Sequence, residues 1–156
     1  VVTEQLVKVI LPEDTLDVCE INPKFMEFLV KRIENIPRHK ELSISFMTTD
    51  IQTIECEEKY DFIVSALPFN AFTPEMVKNI LEVYWKILKP GGWLSYFEYI
   101  GIRSIKRAVS GNHEKKRLQE ISKIVKDFLI QNEVYHKKIW LNLPPAYVRH
   151  CQKKSK

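Results

Sequence analysis

The chain predicts an open α/β sheet with helices on both faces, finished by an antiparallel pair of strands. Three observations carry that expectation. Apolar positions switch repeatedly between helical and strand spacing along the chain, the alternation of an α/β sheet. At Tyr60–Phe69, YDFIVSALPF, the β-prone run Phe62–Val64 lies between Asp61 and Pro68 and predicts a strand buried on both faces in mid-sheet. Ser65–Asn70 then leaves that strand's carboxyl end, the edge where open α/β sheets bind ligands. Last, Val134–Leu141 and Ala146–Cys151 flank Leu143-Pro144-Pro145, too short a link for a helical crossover, so the two strands must run antiparallel.

The elements follow in order. Leu6, Val7 and Ile10 give Thr3–Leu11 one apolar helical face, which stops at Pro12. Leu16–Cys19 is a short strand. In the following Glu20-Ile21-Asn22-Pro23, Asn22 can cap a helix and Pro23 suits its first position. Phe25, Phe28, Leu29 and the Arg32–Ile33 turn carry that helix's period. Leu42–Phe46 reads as the next strand and ends in Thr48-Thr49-Asp50. Pro74–Leu88 is a helix with the stripe Val77, Ile80, Leu81, Tyr84 and Leu88, ended by Lys89-Pro90-Gly91-Gly92. Trp93–Tyr99 is a strand. Glu114–Gln131 is a long amphipathic helix with Leu118, Ile121, Val125, Phe128 and Leu129 inward, a sheet-covering helix rather than a lipid-surface one.

At 156 residues, 45% hydrophobic and 28% charged, Val1–Lys156 fits one globular domain with a substantial core. Charge is unevenly placed. Residues 1–102 hold ten Lys/Arg against sixteen Asp/Glu, and residues 103–156 hold fourteen against four, so net charges of −6 and +10 face each other along the sequence. The basic half suits an anionic partner, phospholipid headgroups or nucleic acid, or is simply a solvated face. Cys19, Cys56 and Cys151 are scattered, which gives neither a disulfide framework nor metal spacing and points to a reducing cytoplasm. The four histidines show no ligand spacing. No apolar run reaches transmembrane length, so any membrane contact is peripheral.

Two carboxylates stand where an α/β nucleotide site needs them. A carboxylate offers two acceptor oxygens to a ribose diol, and Glu20 closes the first predicted strand; capping the next helix is its other reading. Asp50 closes the next strand and could accept from an adenine amine or simply shape a turn.

Taken together, LDVCEINPKF, the TTD ending, DFIVSALPF and ILKPGGWLSYFEY resemble the class I S-adenosylmethionine-dependent methyltransferases. Ser65–Pro68 (S-x-L-P), Phe97–Tyr99 with the basic segment after it, and Ile139–Val148 look like the bacterial phospholipid N-methyltransferases. The resemblance implies a Rossmann-like sheet and S-adenosylmethionine as cofactor, held by Glu20, Ile21, Asp50, Ile51 and Ser65. It implies methyl transfer to an amine, the headgroup nitrogen of phosphatidylethanolamine, with Leu67, Phe69 and Tyr99 at the reacting centre. In that site the Leu67 carbonyl accepts from the amine, while Phe69 and Tyr99 offer aromatic faces to the methylated cation. Glu98 could take a proton or hold the cationic head, or face solvent as an ordinary strand residue. The expected partner is an anionic membrane surface at the cytoplasmic face of the inner membrane, met by Arg103, Lys106, Arg107, Lys153, Lys154 and Lys156.

The rRNA adenine dimethylases resemble the same loop more distantly. Their motif reads close to N-L-P-Y, and Ala66 here lacks the amide that would accept from adenine. A membrane-binding module without catalysis is a further reading. It is favoured by a departure from the superfamily, because the first strand and the Gly-rich loop that approaches the cofactor's methionine part are both missing. The expectation is a longer natural protein, with tens of residues before Val1, and a central strand whose edge lies open without that neighbour.

Overall fold

The computed structural model describes residues 2–99, 112–140 and 146–155. Arg103, Lys106, Arg107, Leu143–Pro145, Lys156 and the side chain of Tyr99 lie outside the described residues. The chain forms two compact units, Val1–Ile54 and Glu55–Lys156.

The first unit runs α1 (Val2–Val9), β1 (Thr15–Cys19), α2 (Pro23–Glu34) and β2 (Ser43–Met47), with short 3-10 turns at Pro37–Glu41 and Ile51–Thr53. β1 and β2 pair in parallel, from Thr15 opposite Ser43 to Cys19 opposite Met47. α2 begins as the sequence dictates: Asn22 Oδ1 accepts from the Lys24 amide at 3.0 Å, and Pro23 takes the first turn. Val7, Val18, Met26 and Ile33 form the buried centre of this unit. The Arg38 guanidinium donates to the Val7 and Ile10 carbonyls, satisfying groups that the end of α1 leaves without helical partners.

The second unit runs β3 (Tyr60–Ser65), α3 (Pro74–Ile87), β4 (Leu88–Tyr99), α4 (Asn112–Asn132), β5 (Glu133–Ile139) and β6 (Ala146–Gln152). Its four strands lie in the order β3-β4-β6-β5. β3 and β4 are parallel, while β6 runs antiparallel to both of its neighbours, as the short link before it required. Leu94, Tyr96 and Cys151 point to the face covered by α3 and α4, where Val77, Ile80, Leu81, Tyr84, Leu118, Ile121 and Val125 complete the core. Cys151 is fully buried, and desolvation followed by the charge of Glu133 pushes its thiol up to about 12 against the opposing pull of Arg149.

Two features differ from the expectation. β3 is an end strand, paired with β4 alone among the described residues, and the run expected to be buried on both faces has Phe62 70% and Val64 47% exposed. An apolar run cannot by itself distinguish a strand with neighbours on both sides from one with a neighbour on one side. β4 also begins at Leu88, five residues before Trp93, so the Lys-Pro-Gly-Gly turn rides inside the strand's ladder. Its glycines are required there: Gly91 has φ +78°, and a Cβ on Gly92 would lie 2.9 Å from Lys89 O and 3.0 Å from Asp61 O.

Candidate functional site

In the first unit, parallel pairing puts the carboxyl ends of β1 and β2 side by side, which brings together the segments that carry Glu20 and Asp50. The Glu20 amide donates to Met47 O at 3.2 Å and closes the ladder. Glu20 Oε1 accepts from the Asn22 amide at 2.8 Å, so half of the carboxylate serves the turn into α2. Oε2 has no protein partner among the described residues and is the acceptor left for a ligand hydroxyl. Asp50 is more committed. Oδ1 accepts from the Gln52 amide at 2.9 Å and Oδ2 from Gln52 Nε2 at 3.1 Å, so the carboxylate shapes the turn that follows β2. Ile21 is 64% exposed beside Glu20, and Ile51 is half-buried at the start of the 3-10 turn. The intervening Cys19 thiol donates to Thr49 O at 3.3 Å, and burial together with the charges of Asp50 and Glu20 holds it protonated.

In the second unit the loop leaving β3 is pinned at its first residue. Ser65 is buried, and its Oγ lies 2.8 Å from the Tyr84 hydroxyl of α3 while accepting from the Leu67 amide at 3.4 Å. Leu67 is half-buried, and its carbonyl accepts from the Phe69 amide at 3.0 Å, leaving a second lone pair for another donor. Phe69 is 5% exposed, its ring 5.6 Å from that of Tyr96 at a tilted 41°. That packing makes Phe69 a wall behind the loop. Tyr99 pairs with Ala146 at the carboxyl end of β4.

Glu98 does not face solvent. Its Oε2 accepts from Arg149 Nε at 2.9 Å, and Arg149 Nη1 donates to Glu133 Oε1 at 2.9 Å; all three side chains are at most 20% exposed. The trio lines a cavity of about 290 Å³ together with Val125, Lys126 and Leu129. Burial lowers the Arg149 pKa, and the hydrogen bond and charge of Glu98 outweigh it, so the guanidinium stays firmly protonated. Glu98 is therefore held in an ion pair with Arg149 near the carboxyl end of β4.

Sequence reasoning missed Tyr84, Arg117 and Arg149 as organisers of this edge. Tyr84 read as a stripe residue, and only its hydroxyl, unusual among Val, Ile and Leu, could have signalled a buried partner. Among the described residues, no helix is long and apolar enough to cross a membrane, and no group of three or more His, Cys, Asp and Glu could hold a metal ion.

Comparison with known proteins adds three kinds of finding. The family described as Tellurite resistance protein TehB matches residues 6–102. A search of curated proteins found no match. Among solved structures, a SAM-dependent methyltransferase from Methanosarcina mazei superimposes with a TM-score of 0.70 at 14% identity, covering 100% of this chain and 88% of that one. The N-methyltransferase NodS from Bradyrhizobium japonicum WM9, in complex with S-adenosyl-l-homocysteine, gives 0.67 at 17% identity, covering 97% and 71%. A possible exported protein from Bordetella parapertussis gives 0.65 at 12% identity; this chain is 97% covered but spans 58% of that one. These likenesses show a Rossmann-like α/β fold.

Proposed function

The chain belongs to the TehB family, and from that premise we propose that it is an S-adenosylmethionine-dependent methyltransferase acting on an amine, the headgroup nitrogen of phosphatidylethanolamine. The observation that carries the reading is the pair of acidic carboxyl ends on adjacent parallel strands, with one Glu20 oxygen open, in a fold shared with methyltransferases.

The chain's residues fit the cofactor by chemistry. Glu20 Oε2 would take the ribose hydroxyls, Ile21 and Ile51 would give apolar walls for the adenine, and Asp50 would keep the turn that presents the second wall. S-adenosylmethionine, when bound, supplies a methyl group already activated on a sulfonium. The protein is then left with positioning an amine and excluding water, which can supply most of the rate. Leu67 O, with its remaining lone pair, would orient the amine, and Pro68 fixes the backbone that aims it. Ser65 acts behind this carbonyl, through Tyr84 and the Leu67 amide.

The phospholipid assignment draws on the Ser65–Pro68 pattern and the +10 charge of residues 103–156, which suits an anionic membrane surface. A second reading comes from the family's own description and makes tellurite the acceptor. Labelled S-adenosylmethionine tests both. Label in phosphatidylethanolamine vesicles supports the first; label appearing only with tellurite, or only in unmodified rRNA, overturns it. Calorimetry with S-adenosylhomocysteine tests the cofactor separately, and an absence of binding would leave the non-catalytic membrane-binding reading.

A further inference from the structure

The loop from Leu67 to Phe72 is held at its far end by a residue of the last helix. Arg117, 19% exposed on α4, donates through Nε to Glu114 Oε2 at 2.7 Å and through Nη2 to Glu114 Oε1 at 2.6 Å, a two-point fork that fixes the guanidinium plane. From that plane Nη2 donates to Asn70 O at 2.9 Å and Nη1 donates to Phe72 O. Both acceptors are backbone carbonyls of the loop; neither lies in α3.

Loop carbonyls at a strand-to-helix junction have no regular ladder to satisfy them, and a buried carbonyl left without a donor is costly. Here the 3-10 turn Phe69–Ala71 uses the carbonyls of Leu67, Pro68 and Phe69 for its own amides and leaves those of Asn70 and Phe72 pointing at α4. With Ser65 pinned to Tyr84 at one end and Asn70 and Phe72 pinned to Arg117 at the other, Leu67 and Pro68 hang between two fixed points. Lysine could neutralise Glu114, but a single ammonium cannot meet a carboxylate and two separated carbonyls in one plane.

We propose that Arg117 is a positioning residue, oriented by Glu114, that sets the loop and thereby the direction of the Leu67 carbonyl. The inference rests on the methyl-transfer reading of that loop. It assigns to one side chain, 50 positions away in sequence from Leu67, the accuracy with which an acceptor is aimed. A misplacement of about 1 Å at a reacting centre costs on the order of a hundredfold in rate.

The test compares the wild type with R117A, R117K and E114Q. Exchange of the Phe69, Ala71 and Phe72 amides reports the loop, calorimetry with S-adenosylhomocysteine reports the cofactor, and kcat and KM with phosphatidylethanolamine vesicles report the reaction. In R117A the loop amides should exchange about tenfold or more faster, while Ile80–Tyr84 in α3 stay within about twofold. The turnover number should fall by roughly ten- to a hundredfold, with KM and cofactor affinity within about threefold. R117K should stay close to R117A. E114Q keeps the shape, removes the charge and gives a milder version of the same signature should R117A not fold. Faster exchange spread evenly over residues 60–99 would reduce Arg117 to general stability and overturn the proposal, as would a freed loop with unchanged turnover. If the wild type labels no vesicles, the amine reading fails by itself; the exchange data then still decide, and an unmoved loop in R117A overturns the proposal.

Discussion

The carboxyl ends of β1 and β2 and the loop after β3 present their polar groups in opposite ways. The first offers side-chain carboxylates, one oxygen of Glu20 open and both of Asp50 engaged within their own turn. The second offers backbone, with three side chains turned to holding it: Ser65 to Tyr84, Phe69 against Tyr96, Arg117 across Asn70 and Phe72. A site made of side chains can be removed by one substitution without disturbing the fold. A site made of backbone can be reached only through what packs against it, so its variants mix stability with function.

That contrast can be broken in a definite order. F69A removes a buried ring and should cost about 3–5 kcal/mol of stability, read from denaturant unfolding, with activity lost alongside. F69L keeps most of the volume and should cost under about 1.5 kcal/mol while keeping turnover within a few-fold; a collapse of turnover in F69L would give the aromatic face a direct role. E20A should weaken S-adenosylhomocysteine binding by about 2–3 kcal/mol, some 30- to 150-fold by calorimetry, while unfolding moves by no more than about 1 kcal/mol. Y84F, which takes the hydroxyl from Ser65, should cost about 1–2 kcal/mol and lower turnover a few-fold with cofactor affinity unchanged. The smallest effect belongs to D50N. Its amide oxygen can still accept from Gln52, so stability should hold within about 0.5 kcal/mol and cofactor affinity within about fivefold; a larger loss would show that Asp50 meets the ligand directly.

The two sites also differ in how far they can be read from residues alone. The positions of Glu20 and Asp50 at strand ends were legible from period and from the Asn22-Pro23 cap, whereas the turn contacts their carboxylates make were not. The helix over Pro74–Ile87 and the antiparallel β5–β6 pair were equally legible, from an apolar stripe and a short link. What the residues could not give was partnership. Arg117 and Arg149 look in sequence like surface cations of a basic half, and only their folded neighbours, Asn70, Phe72, Glu98 and Glu133, turn them inward. The exposure of Phe62 and Val64 was hidden for the same reason, since apolarity alone does not say what covers a strand.

Cys151 gives the sheet an alkaline limit. The folded chain keeps this thiol protonated up to about pH 12, whereas an unfolded chain gives up the same proton near the ordinary thiol range. Between those values the unfolded state binds fewer protons than the folded one, so stability declines as pH rises through that window and is complete below it. Unfolding curves taken across alkaline pH should therefore fall more steeply for the wild type than for C151A, by an amount on the order of a few kcal/mol. At neutral pH the same seal makes Cys151 a clock, since an alkylating reagent can reach it only when β4 and β6 part.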